Sequence, residues 1–192
     1  KTTTGTYKNK QFSIISTGIG PDNIDIVMNE LDALVNIDLQ TRKPKEKLTS
    51  LNIVRIGTSG SLQADIPVDS YIISSHALDL NGMLHSYQIE EIANPEIENA
   101  FVKHTNWSAK KAAPILIGNH KELEHKLTSK DTFAGITATA GGFYGPQGRV
   151  LRLNLQDDDL NQKIDSFSYN DHRITNLEME TSAIYGLSKL LG

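Results

Sequence analysis

The chain has 192 residues, enough for one domain with a sizeable buried core. Its 19 basic and 23 acidic residues leave a net charge of −4, with no basic run longer than "TRKPKEK", which speaks against nucleic acid as a partner. No cysteine is present, so disulfides, thiolate metal sites and cysteine nucleophiles are excluded. The absence of any apolar run near the roughly 18 residues of a membrane span, or of a signal-peptide layout, predicts no membrane partner and a cytoplasmic location.

In chain order, "TGTYKNKQFSIIS" reads as the second half of a hairpin, with a strand over residues 10–16 ending in the turn "TGIGPDN". Ile24, Val27, Leu31, Leu34 and Val35 recur at helical spacing, so a helix is expected over residues 22–36, capped by Asp22 or Asn23. A polar connection, "LQTRKPKEK", leads to "LNIVRIG" (residues 51–57), a mostly apolar strand with one arginine. "DSYIISSHAL" and "AAPILIG" read as further strands, "HKELEHKL" as a short helix, and "TFAGITAT" as a strand running into "TATAGG" and the loop "FYGPQGR". "ITNLEME" (residues 174–180) is the last strand and "TSAIYGLSKLL" the last helix. Apolar strands alternating with helices predict an α/β fold around a largely parallel or mixed sheet, in one domain over residues 1–192. Ligands of open α/β sheets gather beyond the carboxyl ends of the strands, so the polar residues at strand ends matter most.

Four strand ends carry unusual residues. "STGIGPDN" joins a strand to a helix through a glycine turn that could admit an anion or a neighbouring chain, or could simply be a tight turn with a capped helix; it lacks the third glycine of a dinucleotide fingerprint. In "VRIGTSGS", Arg55 is costly to bury without an anionic partner, and the Gly/Thr/Ser turn after it offers hydroxyls and free N–H groups, a combination that suits phosphate; pairing of Arg55 with a core carboxylate is the alternative. In "FYGPQGR", Gln147 presents a donor and an acceptor and Arg149 presents donors only, matching a heterocycle edge of alternating carbonyl and N–H groups, with Phe143 placed to stack; an incidental surface Gln and an Arg bonded to backbone is the alternative. In "LEMET", Glu178 and Glu180 are expected on one face of the strand and Met179 on the other, where paired carboxylates can accept from a vicinal diol, while Glu180 and Thr181 can also cap the last helix.

Taken together and in order, "STGIG", "VRIGTSG", "FYGPQGR" and "NLEMETSAIYGL" resemble the nucleoside phosphorylase-I family, and within it the uridine phosphorylases. The resemblance implies a three-layer α/β/α fold around a twisted mixed sheet, assembled as a homodimer within hexamers. It implies phosphorolysis of uridine, in nucleoside salvage, with inorganic phosphate as co-substrate and no cofactor or metal. Arg55 and Thr58 match phosphate-holding positions, Gln147 and Arg149 the pair that reads uracil, and Phe143 the base-pocket lining. Glu178, Met179 and Glu180 match the segment that grips ribose, and Ser59 and Gly60 positions beside the nucleoside. The family's Gly-Asp-Pro phosphate loop, a second arginine, a histidine that meets the ribose 5′-hydroxyl, and a last strand and helix have no counterpart between Lys1 and Gly192. The chain is therefore expected to hold part of a phosphate site and to need further segments for activity. A purine phosphorylase, a nucleosidase of the same fold and a non-catalytic nucleoside-binding protein are the alternatives.

Overall fold

The apolar runs satisfy their backbone donors and acceptors in one six-stranded mixed sheet, which sets the position of every candidate residue. The computed structural model describes residues 1–192. Its strands are β1 (Thr2–Tyr7), β2 (Lys10–Ile15), β3 (Ile37–Asp38), β4 (Lys43–Pro44), β5 (Gly60–Ser61), β6 (Tyr71–Asp79), β7 (Ile115–Gly118), β8 (Thr132–Thr139), β9 (Ser168–Tyr169) and β10 (His172–Glu178). Its helices are α1 (Pro21–Asn36), α2 (Pro95–Thr105), α3 (Lys121–Leu127), α4 (Leu160–Asp165) and α5 (Thr181–Leu191). The sheet runs β5-β10-β8-β6-β7, with β9 also on β10. The pairs β10–β8 and β8–β6 are parallel, whereas β5, β7 and β9 are antiparallel to their neighbours.

Side-chain alternation along the strands creates two cores. Leu78, Leu116, Ile136 and Ala138 face Ile97 and Phe101 of α2 and Leu160 and Ile164 of α4. Ile115 and Ile117 face the other way, against Ile24 and Met28 of α1 and Ala183, Ile184 and Leu187 of α5. The chain is thus an α/β protein with a mixed sheet, as the strand–helix alternation predicts, in the three layers that the family resemblance implies.

Several local expectations are corrected. Both halves of the first hairpin are present, β1 pairing β2 across a two-residue turn in which Lys8 and Asn9 have φ of 47° and 62°. Helix α1 begins after Gly20 (φ 93°) with no side-chain cap; Asn23 instead donates to the Ile19 carbonyl at 2.6 Å, and Asp22 sits in the first turn. Residues 51–57 form no strand: β10 pairs with β8, with the two residues of β5 and with β9, and no residue of this run joins a ladder. Strand β10 stops at Glu178, so Glu178 and Glu180 do not share one strand face. Helices α2 and α4 carried no strong periodic signal, although Asn94 does cap α2, its side chain accepting from Ile97 N at 3.3 Å ahead of Pro95.

His76 on β6 meets His172 edge-to-face, ring centroids 4.8 Å apart. Burial, then the charge of His172 and of Lys121, pushes the His76 imidazole down to about 4, with Glu124 opposing. The folded chain therefore refuses a proton that the unfolded chain accepts, so stability is full above 6.5 and is lost as pH falls toward 4. Urea midpoints between pH 7 and pH 4 should fall, and His76→Gln should flatten that decline; an unchanged slope would show that His76 does not titrate this way.

Candidate functional site

The site forms where β10 ends and α5 begins. Glu178 is the last residue of the strand, Met179 and Glu180 make the bend, and Thr181 opens the helix. Both carboxylates are buried, with side chains 2% and 9% exposed. The Arg55 guanidinium lies against them, 2.5 Å from Glu180 Oε2 and 3.2 Å from Glu178 Oε2. Two carboxylates this close in a poorly solvated bend require a counter-charge, and Arg55 supplies it. The guanidinium folds back over Gly57, where a Cβ would stand 2.8 Å from Arg55 Cζ, so only glycine permits this conformation without a shift.

Glu180 spans two elements that are remote in sequence. Its Oε2 takes Arg55, and its Oε1 accepts from the Gly20 amide at 2.7 Å. The glycine turn before α1 thus presents its free N–H to an anion, and that anion is the chain's own carboxylate, placed at the positive end of the helix. Glu178 is saturated from within: Thr139 Oγ1 donates to it at 2.7 Å, Glu180 N at 2.9 Å, and Thr181 N at 3.1 and 3.0 Å. Capping of α5 is therefore done by Glu178. Glu180 is at the N-cap position but makes no side-chain cap bond. Met179 is half-buried in the bend.

The turn after Arg55 is fastened to β10. Gly60 pairs with Leu177, and Asn176 Nδ2 donates to Ser59 Oγ at 2.9 Å. Arg55, Thr58 and Ser59 also line a cavity of about 1270 Å³ that runs between residues 50–59 and Tyr71–Ser74 of β6. That cavity reaches the phosphate candidates but none of the proposed base readers, so its size alone does not locate the chemistry.

The base-reading candidates approach from β8. After Thr139 the chain turns through Gly145–Gln147, with Gln147 N and Arg149 N both donating to Tyr144 O at 3.0 and 2.9 Å. Gly148 (φ 68°) closes this turn, and its missing Cβ leaves room for Asn161, whose Nδ2 donates to Gln147 O at 3.0 Å. The Gln147 side chain is buried; its Nε2 reaches Glu178 O at 3.5 Å and its Oε1 accepts from Arg149 Nη1. Arg149 also donates to Phe143 O at 2.7 Å and lies over the Phe143 ring, 4.1 Å from its centroid. A Cβ on Gly60 would be 3.9 Å from Arg149 Nη2, so this loop and the Arg55 turn meet above the end of β10. Phe143 stays half-exposed, forming the open wall.

The structure therefore brings together Arg55, Ser59, Gly60, Gln147, Arg149, Glu178 and Glu180, with Thr58 on the cavity side and Phe143 at the rim. Sequence reasoning missed Thr139, Ser182, Asp79 and Asn161. Ser182 N donates to Thr139 Oγ1 at 3.0 Å, and Ser182 Oγ donates to Asp79 Oδ1 at 2.7 Å. Burial pushes the Asp79 carboxyl up, while the Ser182, Gly82 and Asn81 donors oppose that rise. Single hydroxyls in "TATAGG" and "TSAI" carry no pattern of their own, so nothing in the spacing separates them from ordinary strand and helix residues.

An arginine paired with two carboxylates and an amide–guanidinium pair thus lie together at the strand ends of a three-layer α/β sheet, the place where such sheets collect small-molecule ligands. The phosphorylase superfamily model matches residues 1–192, and the chain belongs to that superfamily. It is 27% identical to the uridine phosphorylase of Thermococcus kodakarensis, over all of this chain and 57% of that one. It is 25% identical to the DeoD-type purine nucleoside phosphorylase of Listeria monocytogenes, over 98% of this chain and 62% of that one. The chain thus spans roughly three-fifths of these curated relatives. Among solved structures it superposes on a Trypanosoma brucei nucleoside phosphorylase described as showing uridine phosphorylase activity, with TM-score 0.82 and 28% identity, over 100% of this chain and 70% of that one. A uridine phosphorylase of Phytophthora capsici shares the fold at TM-score 0.59 and 20% identity.

Removing Arg55 leaves two buried carboxylates facing each other. Arg55→Ala should lower unfolding free energy by about 2 kcal/mol, less than a fully buried pair because the arginine is 26% exposed. Urea denaturation at pH 7 checks this; an unchanged midpoint would mean the pair contributes nothing to folding.

Proposed function

We propose that this chain belongs to a uridine phosphorylase, which converts uridine and inorganic phosphate to uracil and ribose 1-phosphate. The observation that carries this reading is the Gln147–Arg149 pair, seated on the Glu178 backbone and beside Gly60, one turn away from Arg55. In the reaction, a phosphate oxygen bonds to the anomeric carbon as the bond to the base nitrogen breaks, and the bonding electrons leave with uracil. Arg149 and Gln147 would stabilise the charge arriving on the uracil carbonyls, an electrostatic role like that of an oxyanion hole. Arg55 and the Thr58 turn would hold the phosphate, with Ser59 and Gly60 beside the nucleoside. Glu180, with Glu178 and Met179 in the same bend, would hold the ribose and favour its developing positive charge.

Since Arg55 is bound to Glu180, phosphate and ribose hydroxyls must share or replace that contact. The guanidinium can serve both, because its donors fan out in a plane. A second subunit, salvage metabolism and a cytoplasmic setting belong to this same proposal. A purine nucleoside substrate is the second reading, favoured by the 25% identical Listeria relatives.

Free base released from uridine and from inosine, with and without inorganic phosphate, distinguishes these readings. Uracil release that requires phosphate and falls about 100-fold on Arg149→Ala is the expected result. Release without phosphate would move the reaction to hydrolysis, and preference for inosine to the purine reading.

A further inference from the structure

We propose that Thr139 is a positioning residue for the Arg55–Glu180 pair, acting through the Glu178 carboxylate and anchored in turn by Ser182 and Asp79. Proton direction along this chain is fixed by chemistry. Ser182 N can only donate, so Thr139 Oγ1 accepts there, at 3.0 Å. Its single hydroxyl proton is then free for Glu178 Oε1, at 2.7 Å. The same residue, Ser182, turns its own hydroxyl away to Asp79 Oδ1 at 2.7 Å, which fixes the first turn of α5 against the end of β6. Asp79 is held in place by Gly82 N at 3.0 Å and by Asn81.

Thr139, Asp79 and Ser182 are fully buried, and Glu178 is 4% exposed. With no water available to replace a lost bond, the orientation of Glu178 depends on these internal donors. That orientation matters because Glu178 holds the amides of Glu180 and Thr181, and with Oε2 also meets Arg55 at 3.2 Å. Rotation of Glu178 would release the bend that carries Glu180 and remove one of the two carboxylates steering Arg55. Thr139 ends β8 four residues before Phe143, which opens the loop of Gln147 and Arg149, so one hydroxyl sits where the phosphate and base halves of the site diverge.

The test uses Thr139→Val, which keeps the shape and removes the hydroxyl, Thr139→Ser, which restores it, and Thr139→Ala in case valine does not fold. The first readout is the guanidinium nitrogen spectrum of Arg55 without substrate. Pairing with both carboxylates should give separate Nη signals in the unsubstituted chain and in the serine variant, merged by free rotation in the valine or alanine variant. The second readout rests on the phosphorolysis reading: KM for phosphate should rise about tenfold while kcat stays within twofold, and serine should restore KM. Unchanged Arg55 signals, or a loss of thermal stability that serine does not repair, would overturn the proposal. If no uracil is released even when the segments that the longer relatives carry outside the matched region are supplied, but the Arg55 signals respond as described, the positioning role stands and the phosphorolysis reading falls.

Discussion

Two buried carboxylates facing one arginine constrain everything around them. Glu178 and Glu180 sit two residues apart in a bend almost closed to water, an arrangement that is unfavourable unless each oxygen meets a donor. The donors come from the whole chain: Gly20 before α1, Arg55 before β5, Thr139 at the end of β8, and the first amides of α5. Satisfying one short bend therefore draws together segments up to 160 positions apart. The strand ends converge because those carboxylates must be matched.

This arrangement also bears on the nucleoside site proposed above. Glu178 is committed to the fold, bonded on both oxygens by internal donors, whereas Glu180 is committed only to Arg55 and Gly20. Arg55 remains partly open to solvent, so its unused donors face the side from which an anion can come. The Gln147–Arg149 pair repeats the logic: amide and guanidinium satisfy each other, and Arg149 rests on the Phe143 face.

Much of the fold was legible because its signals are periodic. The strands β6, β7, β8 and β10 and the helices α1, α3 and α5 all follow apolar runs or helical spacing. Residues 51–57 misled, because an apolar run specifies burial tendency, whereas a strand also needs a neighbour with free hydrogen-bonding groups. Arg55, Gln147 and Arg149 stood out because such side chains are conspicuous within apolar or glycine-rich contexts, and the structure pairs Arg55 with two buried carboxylates, the alternative reading of that residue. The division of labour between Glu178 and Glu180 was not, because it depends on where β10 stops, a matter of one or two residues. Thr139, Ser182 and Asp79 were invisible for a related reason: their role lies in contacts across 39 to 103 positions, which no local pattern encodes.

Amide shift mapping with uridine in the presence of inorganic phosphate tests most directly whether these strand ends form one site. The account predicts saturable changes confined to residues 18–20, 55–60, 143–149 and 178–182, moving together on a single binding curve. Changes limited to one of these segments, or centred on the Tyr71–Ser74 wall of the cavity, would contradict it.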